Sequence, residues 1–222
     1  VSSAVRRAGA LLGAALALGC STAPSESGGA RPIAVVFSRA DAAAAFPGDY
    51  ISVLDTAILD ITSSAAPPAT HRVRLGQRDS VARFSVVLDT GNVLLVATIV
   101  SNNGTRLFLG RLQTRVLPST DSLDIVVQPQ TAVLLLALSF TVQDNGVTRT
   151  FSTRVHNRGA GPLTWNVATT PPGCVSMCTF TPPGGTIQAN SSVPFVISAP
   201  SAAFPTPPKA TLASAAGRVT IP

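Results

Sequence analysis

Val81-Ala82-Arg83-Phe84-Ser85-Val86-Val87-Leu88-Asp89-Thr90-Gly91-Asn92-Val93-Leu94-Leu95-Val96-Ala97-Thr98-Ile99-Val100 decides what kind of fold the chain can adopt. Two apolar runs rich in β-branched residues, Val81 to Leu88 and Val93 to Val100, flank four residues of turn chemistry. Gly and Asn tolerate positive φ, so Asp89-Thr90-Gly91-Asn92 reads as a hairpin turn between two strands. Downstream, Asn102-Asn103-Gly104 predicts another hairpin turn, followed by strands over Arg106 to Leu117 and Leu123 to Val127. In the latter, Leu123, Ile125 and Val127 alternate with polar neighbours such as Asp124, which puts one face inside. Upstream, Tyr50 to Thr62 and Arg72 to Leu75 read as strands, and Ala40 to Ala45 as one helical turn ended by Pro47 and Gly48.

Beyond Pro129 a second β series follows. Its expected strands are Val133 to Gln143, Val147 to His156, Leu163 to Ala168, Ser192 to Ser198 and Arg218 to Ile221, with a hairpin turn at Asp144-Asn145-Gly146. Four prolines between Ala199 and Lys209 interrupt any sheet and predict a loop. Short strands at this spacing, with no long amphipathic helix, predict an all-β protein of two small antiparallel β-sandwich (Ig-like) domains, residues 32–129 and 130–222. Each holds roughly 90–100 residues, enough for its own core.

The composition of the 222 residues is consistent with this. Hydrophobic residues make up 45%, which excludes disorder throughout. The formal charge of +6 points toward polyanions, but removing Arg6 and Arg7 from the 16 basic residues leaves 14 against 10 acidic ones. The rest are spread singly (among them Arg72, Arg74, Arg78, Arg83, Arg106, Arg111, Arg115, Arg149 and Arg154) and read as exposed strand positions. A nucleic-acid groove wants clustered basic residues interleaved with exposed aromatics, and one Tyr and one Trp do not supply it.

The N-terminus carries a different message. Arg6-Arg7 is a basic start, Ala8 to Leu18 an apolar run too short to span a bilayer, and Ala17-Leu18-Gly19-Cys20 a small-residue cleavage pattern ending in cysteine. The layout resembles a bacterial lipoprotein signal over residues 1–19, which implies lipidation at Cys20 and anchoring to a membrane rather than crossing it. An ordinary secretory signal with an incidental cysteine is the alternative. Residues 20–31, rich in Ser, Gly, Ala and Pro, read as a flexible tether. The implied location is the cell envelope, at the outer membrane or cell surface.

Two further resemblances concern the body. Phe151 to Trp165, containing Asn157-Arg158-Gly159-Ala160-Gly161-Pro162-Leu163-Thr164-Trp165, together with Pro182-Pro183-Gly184-Gly185-Thr186-Ile187, looks like the BACON-type family of bacterial Ig-like modules. It covers about residues 131–222 and implies an Ig-like fold that is often attached to carbohydrate-active proteins. Gly91-Asn92, Val93 to Val100 and Asn103 to Gly110 resemble β-sandwich modules of bacterial lipoproteins and imply no chemistry.

Candidate chemistry is sparse. Leu88-Asp89-Thr90-Gly91 matches the core of an aspartic-protease motif, but that reaction needs two carboxylates sharing a proton, and Phe108-Leu109-Gly110 follows too closely to be the second element. Asp89 is therefore expected in a solvated turn. Cys174 and Cys178, four apart in an exported chain, predict a local disulfide, with free thiols as the alternative and no metal site, because neither histidine is near in sequence. Trp165 alternates with Leu163 and Val167 and reads as core, or else as a sugar-stacking platform, for which Phe204 in the Pro-rich loop is the second candidate. His71 and His156 stand alone, and the Asn103 and Asn190 sequons read as turns. The expectation is a non-enzymatic envelope lipoprotein without cofactor, presenting Ig-like domains to an envelope protein. The alternative is a carbohydrate- or mucin-binding surface module.

Overall fold

The computed structural model describes residues 31–39, as backbone, and 50–222, apart from 77, 80 and 171. The chain is all-β, with seventeen strands among the described residues: β1 (Arg31–Arg39), β2 (Tyr50–Ser52), β3 (Leu54–Ser63), β4 (Ala69–Arg74), β5 (Val81–Leu88), β6 (Gly91–Ser101), β7 (Arg106–Val116), β8 (Ser122–Pro129), β9 (Leu134–Ala137), β10 (Thr141–Asp144), β11 (Thr148–Asn157), β12 (Leu163–Thr169), β13 (Thr179–Thr181), β14 (Gly184–Ile187), β15 (Ser191–Pro200), β16 (Thr211–Ser214) and β17 (Gly217–Thr220). They form three sheets, antiparallel except where β1 runs parallel to β8. The expected signal segment, Cys20 and the Ala40–Ala45 turn lie outside the described residues. No helix among those described is long and apolar enough to cross a membrane.

The first sheet has the order β4-β3-β6-β7-β8-β1-β5. Strict alternation makes β5 amphipathic: Ala82, Phe84, Val86 and Leu88 are buried and the residues between them exposed. In β6, Val93, Leu95, Ala97 and Ile99 face the same core. The expected hairpin at Asp89–Asn92 is not one. β5 pairs with β1, whereas β6 pairs with β3 and β7, so the turn carries the chain from one edge of the sheet to its middle. Gly91, at φ 138°, still supplies the backbone conformation that residue type announces. The Asn102–Gly104 and Asp144–Gly146 turns do close hairpins, β6–β7 and β10–β11.

Other expectations shift for physical reasons. The Tyr50–Thr62 run breaks at Val53: β2 leaves to pair with β9, and β3 continues in the first sheet. The Val133–Gln143 run likewise splits into β9 and β10, both on β11. Gly184–Ile187, absent from the expected strands, is a strand paired with β12. Arg31, at the end of the expected tether, already belongs to β1.

The second sheet has the order β13-β15-β11-β9-β2, with β10 also on β11, and the third is β14-β12-β16-β17. They pack face to face. Trp165 of β12 meets Phe195 of β15 edge-on, with centroids 5.6 Å apart at 85°, and Phe180 stacks on Phe195 at 6.2 Å. Leu134, Leu135 and Leu136 of β9 are fully buried, as their apolar run predicts. Buried side chains from all three sheets form one continuous core from Ile51 to Ile221.

Asn157, fully buried, closes the end of this pair of sheets. Its Oδ1 accepts from the amides of Val133 (3.1 Å) and Gly159 (3.0 Å). Its Nδ2 donates to the carbonyls of Gly161 (2.7 Å) and Ile187 (3.0 Å). One side chain thus satisfies backbone groups of Val133, of Gly159 and Gly161, and of Ile187, in three segments of the chain.

Between the halves, Asn102 Nδ2 donates to Arg218 O at 2.7 Å, and its Oδ1 accepts from Arg218 N at 3.1 Å. Asn103 Nδ2 donates to Ala215 O at 2.9 Å. Gly217 is a point of close approach: at φ 129°, a Cβ there would lie 2.5 Å from Asn102 Oδ1 and 3.0 Å from Val53 Cβ.

Candidate functional site

The outer face of β4-β3-β6-β7 gathers the arginines that the sequence scatters. The registers place Arg74, Thr56 and Val100 across the strands, then Arg72, Ile58, Thr98 and Leu109, then Thr70, Asp60, Val96 and Arg111. Arg115 lies further along β7, opposite Asn92. Strict alternation would set Arg106 out of phase with Arg111 and Arg115. A register shift between Ile99 and Val100 corrects this: Leu107 and Phe108 are both buried, and Arg106 is exposed opposite Val100.

A hollow of about 460 Å³ sits in this face, lined by Ile58, Asp60, Thr70, Arg72, Thr98, Val100, Gly104 and Arg106. Arg72 stands on one flank and Arg106 on the other. Thr98, only 7% exposed, belongs to the floor. Thr70 Oγ1 donates to Asp60 Oδ1 at 2.7 Å, which fixes the carboxylate. Arg74 is partnered by Asp55 at 3.8 Å, whereas Arg72, Arg106, Arg111 and Arg115 have no ion pair among the described residues. The arrangement offers two planar guanidinium forks, a carboxylate acceptor and a small apolar floor, all on ladder-paired backbone.

A second, polar groove of about 890 Å³ lies at the junction of the halves, with Asn102, Asn103, Thr164, Asn166, Ser214 and Arg218 in its walls. The Asn103 sequon position is spent on the junction contact to Ala215. Asn190 occupies a left-handed turn at φ 54°.

The residues singled out from sequence do not converge. Trp165 is 2% exposed, so it is not a stacking platform; its ring is held by Phe195, and its Nε1 donor has no hydrogen-bond partner among the described residues. Phe204 is half-buried, with the tip of its ring beside Gly173. Cys174 and Cys178 are bonded, with Cα atoms 4.8 Å apart across a turn in which Cys178 N donates to Cys174 O at 3.0 Å. Val175 and Met177 project from that turn, 73% and 51% exposed. Asp89 is half-buried at the crossing between β5 and β6. No cluster of three His, Cys, Asp or Glu side chains suited to a metal ion occurs among the described residues.

Two titrating groups sit in the second half. Asp144 is held down to about 2, first by the Ser201 hydroxyl (2.6 Å), then by the Gly146 amide and by Arg149. Arg149 also donates to Phe204 O at 3.2 Å, tying the β10–β11 hairpin to the Pro-rich loop. His156 is pushed down to about 4 by burial first, then by the charges of Arg158 and Arg154.

No family model matches the chain. No curated protein matches it. It is structurally similar to a protein of unknown function from Porphyromonas gingivalis W83. The identity is 16%, the match covers 73% of this chain and 83% of that one, and the TM-score is 0.30. A chitinase from Bacillus thuringiensis matches at 13% identity over 67% of this chain and 22% of the chitinase, with a TM-score of 0.19. Similarity at this level carries no functional argument. The arginine face was missed in the sequence because its members come from β4 and β7, which are brought to one face only through the intervening β3 and β6.

Proposed function

We propose that this chain is a non-enzymatic module of an exported, lipid-anchored envelope protein, whose β-sandwich domains are held away from the membrane for interaction with a partner. The observation that carries the reading is the order of ends. The chain enters the first sheet at Arg31, beside Leu88 and near Val116 and Ser122. The junction to the second half lies at the other end of those strands, at Asn102 and Asn103. The β10–β11, disulfide and Pro-rich loops lie beyond it, where Thr148 faces Pro200 and Thr179 faces Ser198. In this reading the anchor side, the sheets and the loops follow one another. Residues 131–222 carry the BACON-type resemblance within this reading.

The test is metabolic lipid labelling with fractionation of cells expressing the full chain and its Cys20→Ser variant. Label and membrane recovery in the wild type, lost in the variant, are expected. Equal recovery without label would leave the anchoring reading without support. The second reading, a carbohydrate-binding surface module, moves from Trp165 and Phe204 to the arginine-flanked hollow, the site with polar groups open to a ligand.

A further inference from the structure

We propose that the outer face of β4-β3-β6-β7 binds an acidic polysaccharide, a linear glycan bearing carboxylate or sulfate groups. Arg72 and Arg106 grip anions on either side of the hollow, and Arg111 and Arg115 continue the track along β7. The proposal deepens the carbohydrate reading by naming site and ligand class, and it does not depend on lipid anchoring.

Three features select this ligand. The first is charge. Arg72, Arg106, Arg111 and Arg115 lie on one face without ion-pair partners among the described residues, and Asp60 is the one acidic group lining the hollow. Guanidinium groups meet carboxylate and sulfate oxygens in bidentate geometry. The second is Asp60 itself. A bare polyanion gains nothing from a carboxylate in its site, whereas a sugar presents hydroxyl donors to it. Oδ1 is already oriented by Thr70, and Oδ2 has no hydrogen bond among the described residues. The third is the apolar patch of Ile58 and Val100, suited to the C–H face of a pyranose ring.

The span agrees. β4 and β7 are three strand spacings apart, about 14 Å, room for a short run of linked rings. A nucleic acid would want stacking aromatics, and no aromatic side chain lines the hollow. A bilayer surface would set the exposed Asp60 carboxylate against anionic headgroups.

The experiment is affinity electrophoresis of the full chain, in mild detergent, through gels containing polygalacturonate, chondroitin sulfate or neutral dextran. Retardation by at least one acidic chain and not by dextran is expected, weakening as salt rises from about 50 to about 500 mM. R72Q/R106Q, and separately R72E/R106E, should lose affinity by about tenfold or more. R83Q/R154Q, which removes the same charge elsewhere, should leave it unchanged. All four positions are exposed on strands, and matching thermal melts will confirm folding. Equal losses in the control pair would reduce the effect to net charge and overturn the assignment. Tighter binding to phosphatidylglycerol vesicles or to oligothymidine would also overturn it, in favour of a lipid or nucleic-acid surface. Binding to dextran alone would overturn the acidic ligand while leaving a carbohydrate role intact; binding to no glycan would remove both.

Discussion

Asn157 shows how much structure one side chain can hold. Its amide serves Val133, Gly159, Gly161 and Ile187 from a site without solvent. Asn157→Ala strands those backbone groups in the interior, and a loss of about 3–5 kcal/mol is expected in urea unfolding. The sequence placed this asparagine within a motif without revealing its task, because its partners lie up to 30 residues away. His156 makes a separate, pH-dependent contribution. Its folded value of about 4 lies below the ordinary 6.5, so between those values the unfolded chain binds a proton that the folded chain refuses. Stability therefore falls as pH drops from 6.5 toward 4. In His156→Gln the curve of Tm against pH should flatten over that interval.

Among elements, alternation was the most legible signal. The exposed–buried pattern of β5 follows its sequence residue by residue, and β9 was recognisable from its leucines. Pairing was less legible. Asp89–Asn92 has the local chemistry of a hairpin turn, but local chemistry reports φ preference and not the strand that a neighbour will find. β1 was absent from the expected strands because its partners, β5 and β8, lie far along the chain. The bulge in β6–β7 hid the arginine face in the same way. Counting by twos from Arg111 never reaches Arg106, and only the extra inward residue restores the phase. Trp165 was legible as core from its alternation with Leu163, and the pairing of Cys174 with Cys178 from their spacing.

At the scale of the whole molecule, the halves are joined by the continuous apolar core, a shared strand and a few tight polar contacts. β2 comes from before β3 and yet pairs with β9, so a segment of the first series completes a sheet of the second. Gly217 permits the junction to close. Gly217→Ala would force a side chain into positive φ and into Asn102 and Val53, at a cost of about 2–4 kcal/mol. Calorimetry should show a fall in Tm of roughly 5–15 °C. An unchanged Tm would mean that the junction yields without cost.

The position of β1 has a mechanical consequence. Any load arriving from residues before Arg31 pulls along the axis of a strand clamped on both sides, antiparallel to β5 and parallel to β8. Such a pull cannot peel the hydrogen bonds open one at a time, as it would from a hairpin end. It shears both ladders together, so a stretched N-terminal segment would transmit force into the sheet before it could detach the first strand.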